Sequence, residues 1–313
     1  MRAMVIKDFG GPEVFEERDV DKPDPGPNDV LVKVHATSIN PVDYKIRQAG
    51  AWAGIEPPAV IGYDVSGVVE AVGSEVVDFE PGDEVYYTPE IFGGQGSYAE
   101  YHVADAAIVA RKPESLTHEE AASIPLAGGT AWDAVVNRGL IEVGETILIH
   151  GAGGVGSLAI QIAVAAGARV YVTCSDYIEP HVKEWGGLPI NYEAEDFRQI
   201  IAEETGGAGV DMVFDTVGGD TMSKSIEVTK PFGRMVNIVG TRADLSSANP
   251  SNITVHFLFL QRERVKLDQL RTLIERGKLE PVIDSVMELS DVAKAHQKLE
   301  DGGVRGKIVL KVA

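Results

Sequence analysis

The stretch ETILIHGAGGVGSLAIQIA, residues 145–163, decides the fold. Its first six residues form a short apolar run that suits a strand buried on both faces. Three glycines at the spacing G-x-G-x-x-G follow, and a long apolar run rich in alanine then reads as a helix. A strand that turns through such glycines into a helix is the context in which this spacing carries meaning. Gly151 permits the tight turn, Gly153 lets the backbone come close to a ligand, and Gly156 lets the helix pack against the strand. Free N–H groups of Gly154, Val155 and Gly156, with the positive end of the helix dipole, would then face a diphosphate.

Outward from this corner the chain continues as strands alternating with amphipathic helices. RVYVTCS, EAEDFRQIIAEETG, VDMVFDTV and RMVNIVG imply βαβ units and a parallel sheet. LTHEEAASIPLAGGTAWDAVV opens the region, with Thr117 as N-cap and Glu120 as its capping-box partner. The first 115 or so residues follow a different grammar. MRAMVI, DVLVKVHATSI, DVSGVVEAVG, DEVYYT and SYAEYHVADAAIVA are β-rich runs punctuated by Pro and Gly. Near the C-terminus KLDQLRTLIERGK and SDVAKAHQKLEDGG read as helices, the second with Ser290 as N-cap, and GKIVLKV as a strand returning to the first domain. The expectation is an α/β protein of two domains: a β-rich one from 1–117 and 266–313, and a doubly wound one from 118–265.

The composition excludes several function classes. Lys and Arg number 28 against 48 Asp and Glu, a formal charge of −20 that would repel nucleic acid and anionic lipid. The same acidity is what adaptation to high salt produces, which would show as a melting temperature that rises with KCl. No run of 18 apolar residues and no signal peptide are visible, and the single cysteine, Cys174, cannot form an internal disulfide. A cytoplasmic protein with no membrane partner is expected, and Cys174 is read as a small buried hydrophobe.

Taken in order, GGPEV (10–14), VLVKVHATSINPVDYKIRQAG (30–50), PPAVIGYDVSGVVEAVGSEV (57–76), F-x-P-G-D-E-V (79–85), the GAGGVG turn, INY (190–192), FDTVGG (214–219) and GKIVL (306–310) carry a resemblance. The chain resembles the medium-chain dehydrogenase/reductase superfamily along nearly its whole length, and most closely its zinc-free quinone-reductase branch, which includes the zeta-crystallin-like enzymes. The resemblance implies a GroES-like catalytic domain, a Rossmann dinucleotide-binding domain, an active site in the cleft between them, and a homodimer. Zinc is unexpected: one cysteine rules out a four-thiolate site, and Gly62-Tyr63-Asp64 stands where zinc-dependent relatives carry G-H-E. The seven histidines show no i,i+4 pairing and are read as surface or core residues.

Without a metal to polarise an alcohol, reduction of an electron-poor acceptor is the easier direction, so the expected substrate is a quinone or conjugated enone. Asn40, Asp43 and Lys45 lie where the family keeps substrate-facing polar residues. Asn40 and Lys45 would hydrogen-bond the oxygen that gains charge, with Asp43 fixing Lys45. Asn40–Lys45 also reads as a polar turn closing a strand, with Pro41 as its stop. Tyr63 takes the place of the missing zinc ligand, and Trp52 would cap the pocket. The resemblance further implies that Thr130, Val239, Gly240, Phe257, Leu258 and Phe259 lie on the nicotinamide side, and that Ser175 and Tyr192 contact a 2′-phosphate. No carboxylate stands at the expected end of the second strand, since Cys174 and Ser175 precede Asp176, which favours NADPH over NADH. Asp176 and Glu179 near that phosphate would work against the preference. The alternatives are a zinc-free alcohol dehydrogenase, an enoyl-thioester reductase, or a cofactor-binding protein with a structural or regulatory role.

Overall fold

The computed structural model describes residues 1–240 and 242–313, and the chain divides into two compact units. The first comprises Met1–Gly129, Arg262–Glu275 and Pro281–Ala313; the second comprises Thr130–Gln261 and Arg276–Glu280.

The first unit contains strands β1 (Arg2–Ile6), β2 (Phe15–Asp19) and β3 (Asp29–Ser38), helix α1 (Pro41–Ala49), and strands β4 (Ala59–Val60), β5 (Val65–Val72), β6 (Glu84–Tyr87), β7 (Tyr101–Asp105) and β8 (Ala110–Arg111). Helix α2 (His118–Ala122) closes this part of the chain, and α3 (Pro125–Trp132) carries the boundary into the second unit. The second unit then runs through β9 (Thr146–His150), α4 (Gly154–Ala165), β10 (Arg169–Cys174), α5 (Glu179–Glu184), β11 (Leu188–Asn191), α6 (Phe197–Glu204), β12 (Val210–Asp215), α7 (Thr221–Ile226), β13 (Thr229–Asn237) and β14 (Thr254–Phe257). Helix α8 (Arg264–Glu275), strand β15 (Ile283–Glu288), helix α9 (Val292–Asp301) and strand β16 (Lys307–Lys311) belong again to the first unit.

In the second unit all six strands are parallel, in the order β11-β10-β9-β12-β13-β14. The order reverses at β9, the arrangement in which ligands bind at the carboxyl ends of the strands. Ile147, Leu148 and Ile149 are fully buried because β9 is covered on both faces. Each such side chain contributes about 1.5–3 kcal/mol relative to exposure. Helix α4 buries every residue from Gly156 to Ala163, as its all-round apolar sequence requires.

The first unit is built on a sheet of order β15-β16-β3-β5-β6-β8, with β7 also paired to β3, and a smaller sheet β2-β1-β4. Strand β16 pairs antiparallel with β3, Val309 opposite Ser38, so the C-terminal strand does return to the β-rich unit. Ala122 on α2 packs with Ala36 and Val309. That contact places α2 in the first unit and moves the boundary to 129/130, beyond the expected 117/118. Thr117 caps α2 as expected: its hydroxyl accepts from the Glu120 amide at 3.2 Å, and Glu120 accepts from the Thr117 amide at 2.8 Å. Ser290 does not cap α9; it lies inside a 3-10 turn, Leu289–Asp291, and Asp291 precedes the helix. Among the described residues no helix is long and apolar enough to cross a membrane.

Candidate active site

At the glycine corner, Gly151 adopts φ +91°, a conformation that side chains rarely take. Its amide donates to the Thr173 carbonyl at 3.1 Å, which ties the turn to the end of β10. Gly153 is extended and precedes α4 without any side-chain cap. A Cβ on Gly153 would meet nothing within 4 Å, so open space lies in front of it. A Cβ on Gly156, by contrast, would stand 2.0 Å from the Gly151 carbonyl oxygen, and only glycine allows the helix to begin so close to the strand. The amides of Gly154, Val155 and Gly156 have no acceptor within their own helix, and the helix dipole adds to their positive potential. The corner is therefore an anion cradle made of backbone, and it fits the diphosphate of a dinucleotide.

At the end of β10, Cys174 is buried, and burial together with the Glu179 charge pushes its thiol up to about 11. The thiol is thus held in its unreactive form. Ser175 leads into the turn Asp176–Ile178, and the exposed Asp176 carboxylate accepts from the Asn191 side chain. Tyr192 is exposed, with its amide bound to the Cys174 carbonyl at 3.2 Å. Lys183 reaches Glu179 at 3.4 Å.

The turn after β12 is organised by Asp215, whose role the sequence reading missed. Its buried carboxylate accepts from the amides of Val217 and Gly218 and from the Asn237 side chain, each at 2.9 Å. A cavity of about 660 Å³ opens beyond the carboxyl ends of β12 and β13, lined by Gly219, Asp220, Val239, Gly240, Arg242 and Ala243. Val239 and Gly240, expected on the nicotinamide side, line this cavity. Phe257, the last residue of β14, and Phe259 beyond it are exposed, whereas Thr130 is buried in α3.

In the first unit, Asn40 and Pro41 begin helix α1, where a strand-closing turn was the bland expectation. Asn40 is buried: its side-chain amide donates to Asp64 at 2.7 Å, and its oxygen accepts from Lys307. Lys307 also donates to the Ile39 carbonyl at 2.8 Å. Asp64 is buried too, taking further bonds from Ser38 at 2.5 Å and the Leu126 amide at 2.8 Å. Asp43 is buried on the inner face of α1, and one carboxylate oxygen accepts from the Asn40 amide at 2.9 Å and the Tyr98 hydroxyl at 2.7 Å. Its other oxygen, like the hydroxyl of fully buried Tyr63, has no hydrogen-bond partner among the described residues. Burial pushes the Asp43 carboxyl up to about 7, against the lowering effect of Tyr98 and Asn40. Burial also pushes the Tyr63 phenol well up, and the Asp43 charge adds to it.

The expected pairing of Asp43 with Lys45 does not form. Two residues apart on a helix is roughly 200° around the axis, so Asp43 points inward while Lys45 is exposed. Trp52 is about half exposed and stands edge-on to Phe92, ring centres 6.1 Å apart. Tyr98, Lys307 and Asp64 are site residues that sequence reasoning did not single out. The one available signal was their presence in segments already marked for other reasons, GYD and GKIVL among them.

Residues 26–114 match the family model described as alcohol dehydrogenase GroES-like domain, and residues 187–310 match the one described as zinc-binding dehydrogenase. Among the described residues no three His, Cys, Asp or Glu side chains are grouped to hold a metal ion. The chain is 34% identical to human quinone oxidoreductase, covering 99% of this chain and 97% of that one. It is 31% identical to a mitochondrial NAD(P)H oxidoreductase of Danio rerio, covering 91% of this chain and 84% of that one. The solved structure of the quinone oxidoreductase from Coxiella burnetii superposes with a TM-score of 0.89 at 35% identity, covering 100% of this chain and 99% of that one. Alongside the GroES-like and Rossmann architectures, these likenesses establish that the chain belongs to the medium-chain dehydrogenase/reductase superfamily, in its quinone-reductase branch, and is an oxidoreductase.

Proposed function

We propose that this oxidoreductase uses a reduced nicotinamide dinucleotide, NADPH in preference to NADH, to reduce a quinone or conjugated enone without a metal. The observation that carries the reading is the glycine corner: unfilled amides at the carboxyl end of β9, with Gly156 packed where only glycine fits. A relative named for NAD(P)H and others named quinone oxidoreductases support the cofactor and acceptor classes. Bound there, the dinucleotide supplies a hydride.

The family resemblance, with the positions described above, supports the following roles for this chain's own residues. Gly151, Gly153, Gly154, Val155 and Gly156 grip the diphosphate. Ser175 and Tyr192 border the 2′ position, where Asp176 is turned to Asn191, which weakens the argument from its charge against a phosphate. Val239, Gly240, Thr130, Phe257 and Phe259 flank the nicotinamide. Tyr63 and Asp43 protonate the substrate oxygen, Trp52 covers the acceptor, and Asn40 acts by holding Asp64 and Lys307 in place. Lys45, on the exposed face of α1, drops out of this set. The reading also takes the protein as a cytoplasmic homodimer, a state supported by the resemblance and, for the compartment, by the lone buried cysteine.

The experiment is an acceptor screen with NADH and NADPH supplied separately, after dialysis against a strong chelator. Rapid oxidation of the reduced cofactor by 1,4-benzoquinone or 9,10-phenanthrenequinone, undiminished by the chelator, is expected. Turnover of simple alcohols with no activity on any quinone or enone would overturn the substrate class, and activity that requires zinc would overturn the metal-free step.

A further inference from the structure

Behind Asp43 lies a buried chain of side chains that the reaction as stated does not use. Tyr98 donates to the Asp43 oxygen that the Asn40 amide also reaches, and the Tyr98 hydroxyl lies 3.1 Å from His296 Nε2. His296 Nδ1 lies 3.1 Å from an Arg47 nitrogen, and Arg47 donates onward to the Gly10 carbonyl at 3.0 Å and to Glu300 at 2.6 Å. Arg47, Tyr98 and His296 are all buried, and the Phe15 ring stands edge-on to the imidazole with centres 4.9 Å apart.

The chemistry of these groups gives the chain a direction. A guanidinium only donates, so His296 Nδ1 must accept. Burial, reinforced by the Arg47 charge, pushes the imidazole down to about 3, so it is neutral and carries its one hydrogen on Nε2. That hydrogen goes to the Tyr98 oxygen, and the Tyr98 hydrogen is left for Asp43. The Asp43 oxygen Oδ2 therefore faces two donors with hydrogens already aimed at it. A proton on the same oxygen would point into them. Oδ1 has no such partner, and neither has the Tyr63 hydroxyl, which lies within electrostatic reach of Asp43.

We propose that Arg47, His296 and Tyr98 are positioning residues that confine the exchangeable proton of Asp43 to Oδ1, and that Asp43 is the proton store for the substrate oxygen. The location of the proton stands on the hydrogen-bond chain alone; its use rests on the reductase reading above. After hydride transfer the substrate oxygen holds an electron pair. The Asp43 Oδ1–H bond breaks and a new O–H bond forms on the substrate. Asp43 is left as a carboxylate held by Asn40 and Tyr98 and regains a proton from solvent. The other charged or titratable groups that bear on Asp43 are Lys307, which favours the carboxylate, and Asp64, which opposes it.

The test needs no substrate: infrared difference spectroscopy of the ligand-free protein, following the carbonyl band of a protonated carboxyl that D43N removes. In the native protein this band is expected to titrate with a midpoint near 7. Y98F removes a donor to the carboxylate, so its midpoint should rise by about one pH unit. H296L should move it the same way by less. H296Q, whose amide can accept from Arg47 and donate to Tyr98, should restore the native midpoint, and circular dichroism checks that each variant is folded. If Y98F does not fold, the H296L and H296Q pair carries the comparison. A native band that titrates in the ordinary carboxylate range, or a midpoint unmoved by both Y98F and H296L, would overturn the proposal. A band that behaves as stated in a protein that reduces no quinone or enone would instead sink the reductase reading and leave the proton's location standing.

Discussion

The corner between β9 and α4 and the polar network around Asp43 are built in opposite ways. The corner is built of backbone: four glycines lie within six residues, and no side chain caps the helix that follows. The network is built of side chains drawn from α1, the segment after β4, the segment before β7, α9 and β16, every one of them buried. A backbone site is specified by what must be absent, a Cβ at Gly151 and Gly156, and so leaves a compact trace in the sequence. A buried side-chain network is specified by mutual satisfaction of charge and hydrogen bonds. Its members lie as far apart as Arg47 and His296, and it leaves no local trace.

The difference makes the two regions fragile in different ways. The largest effect is expected at Lys307→Met, which takes the cation from buried Asn40 and Asp64. Removing one member of a buried pair costs about 3–5 kcal/mol, to be read from urea unfolding. A cost under about 1 kcal/mol would mean that Ser38, Asn40 and the Leu126 amide satisfy Asp64 without it.

Next comes a pH effect at Asp43. Its folded value near 7 lies above the ordinary 3.8, so the folded state holds this proton more tightly. The resulting stability is complete below the unfolded value and is lost as pH rises through about 7. Asp43→Asn cannot titrate, so its stability relative to the native protein should improve from pH 4 to pH 7, by an amount on the order of 3 kcal/mol. Buried His102 and His150, held down to about 4, act in the opposite direction, but they are common to both proteins and cancel in the difference. A pH-independent difference in melting would contradict the assignment.

At the corner, Gly156→Val forces a Cβ against the Gly151 carbonyl. A loss of about 2–3 kcal/mol is expected in thermal or urea unfolding, as for overpacking generally, with dinucleotide affinity falling at least tenfold. Unchanged affinity would mean that the corner does not bind the diphosphate. The smallest effect belongs to neither region: Thr117→Ala removes the α2 cap and should cost about 1 kcal/mol with no change in dinucleotide affinity.

What could be read in the sequence follows the same division. The parallel sheet, the glycine corner, the Thr117 cap and the return of the last strand were legible because short-range pattern dictates each of them. The start of α1 carried a signal as well, Asn40 before Pro41 with Asp43 three residues on, and reading it as a helix N-terminus would have put Asp43 and Lys45 on opposite faces. Strand β15 was not legible, because its half-buried residues alternate weakly and its pairing with β16 is decided by tertiary packing. The chain from Arg47 through His296 and Tyr98 had no sequence signature at all, since a lone histidine near the C-terminus looks like any other helical residue.

In the function proposed above, the bare amides at Gly154–Gly156 hold a reduced dinucleotide in a protein that needs no metal. Calorimetric titration of the chelator-dialysed protein with NADPH and with NADH tests it most directly. Saturable binding of one dinucleotide per chain, tighter for NADPH, is expected. No heat with either reduced cofactor, or binding that appears only when zinc is restored, would contradict it.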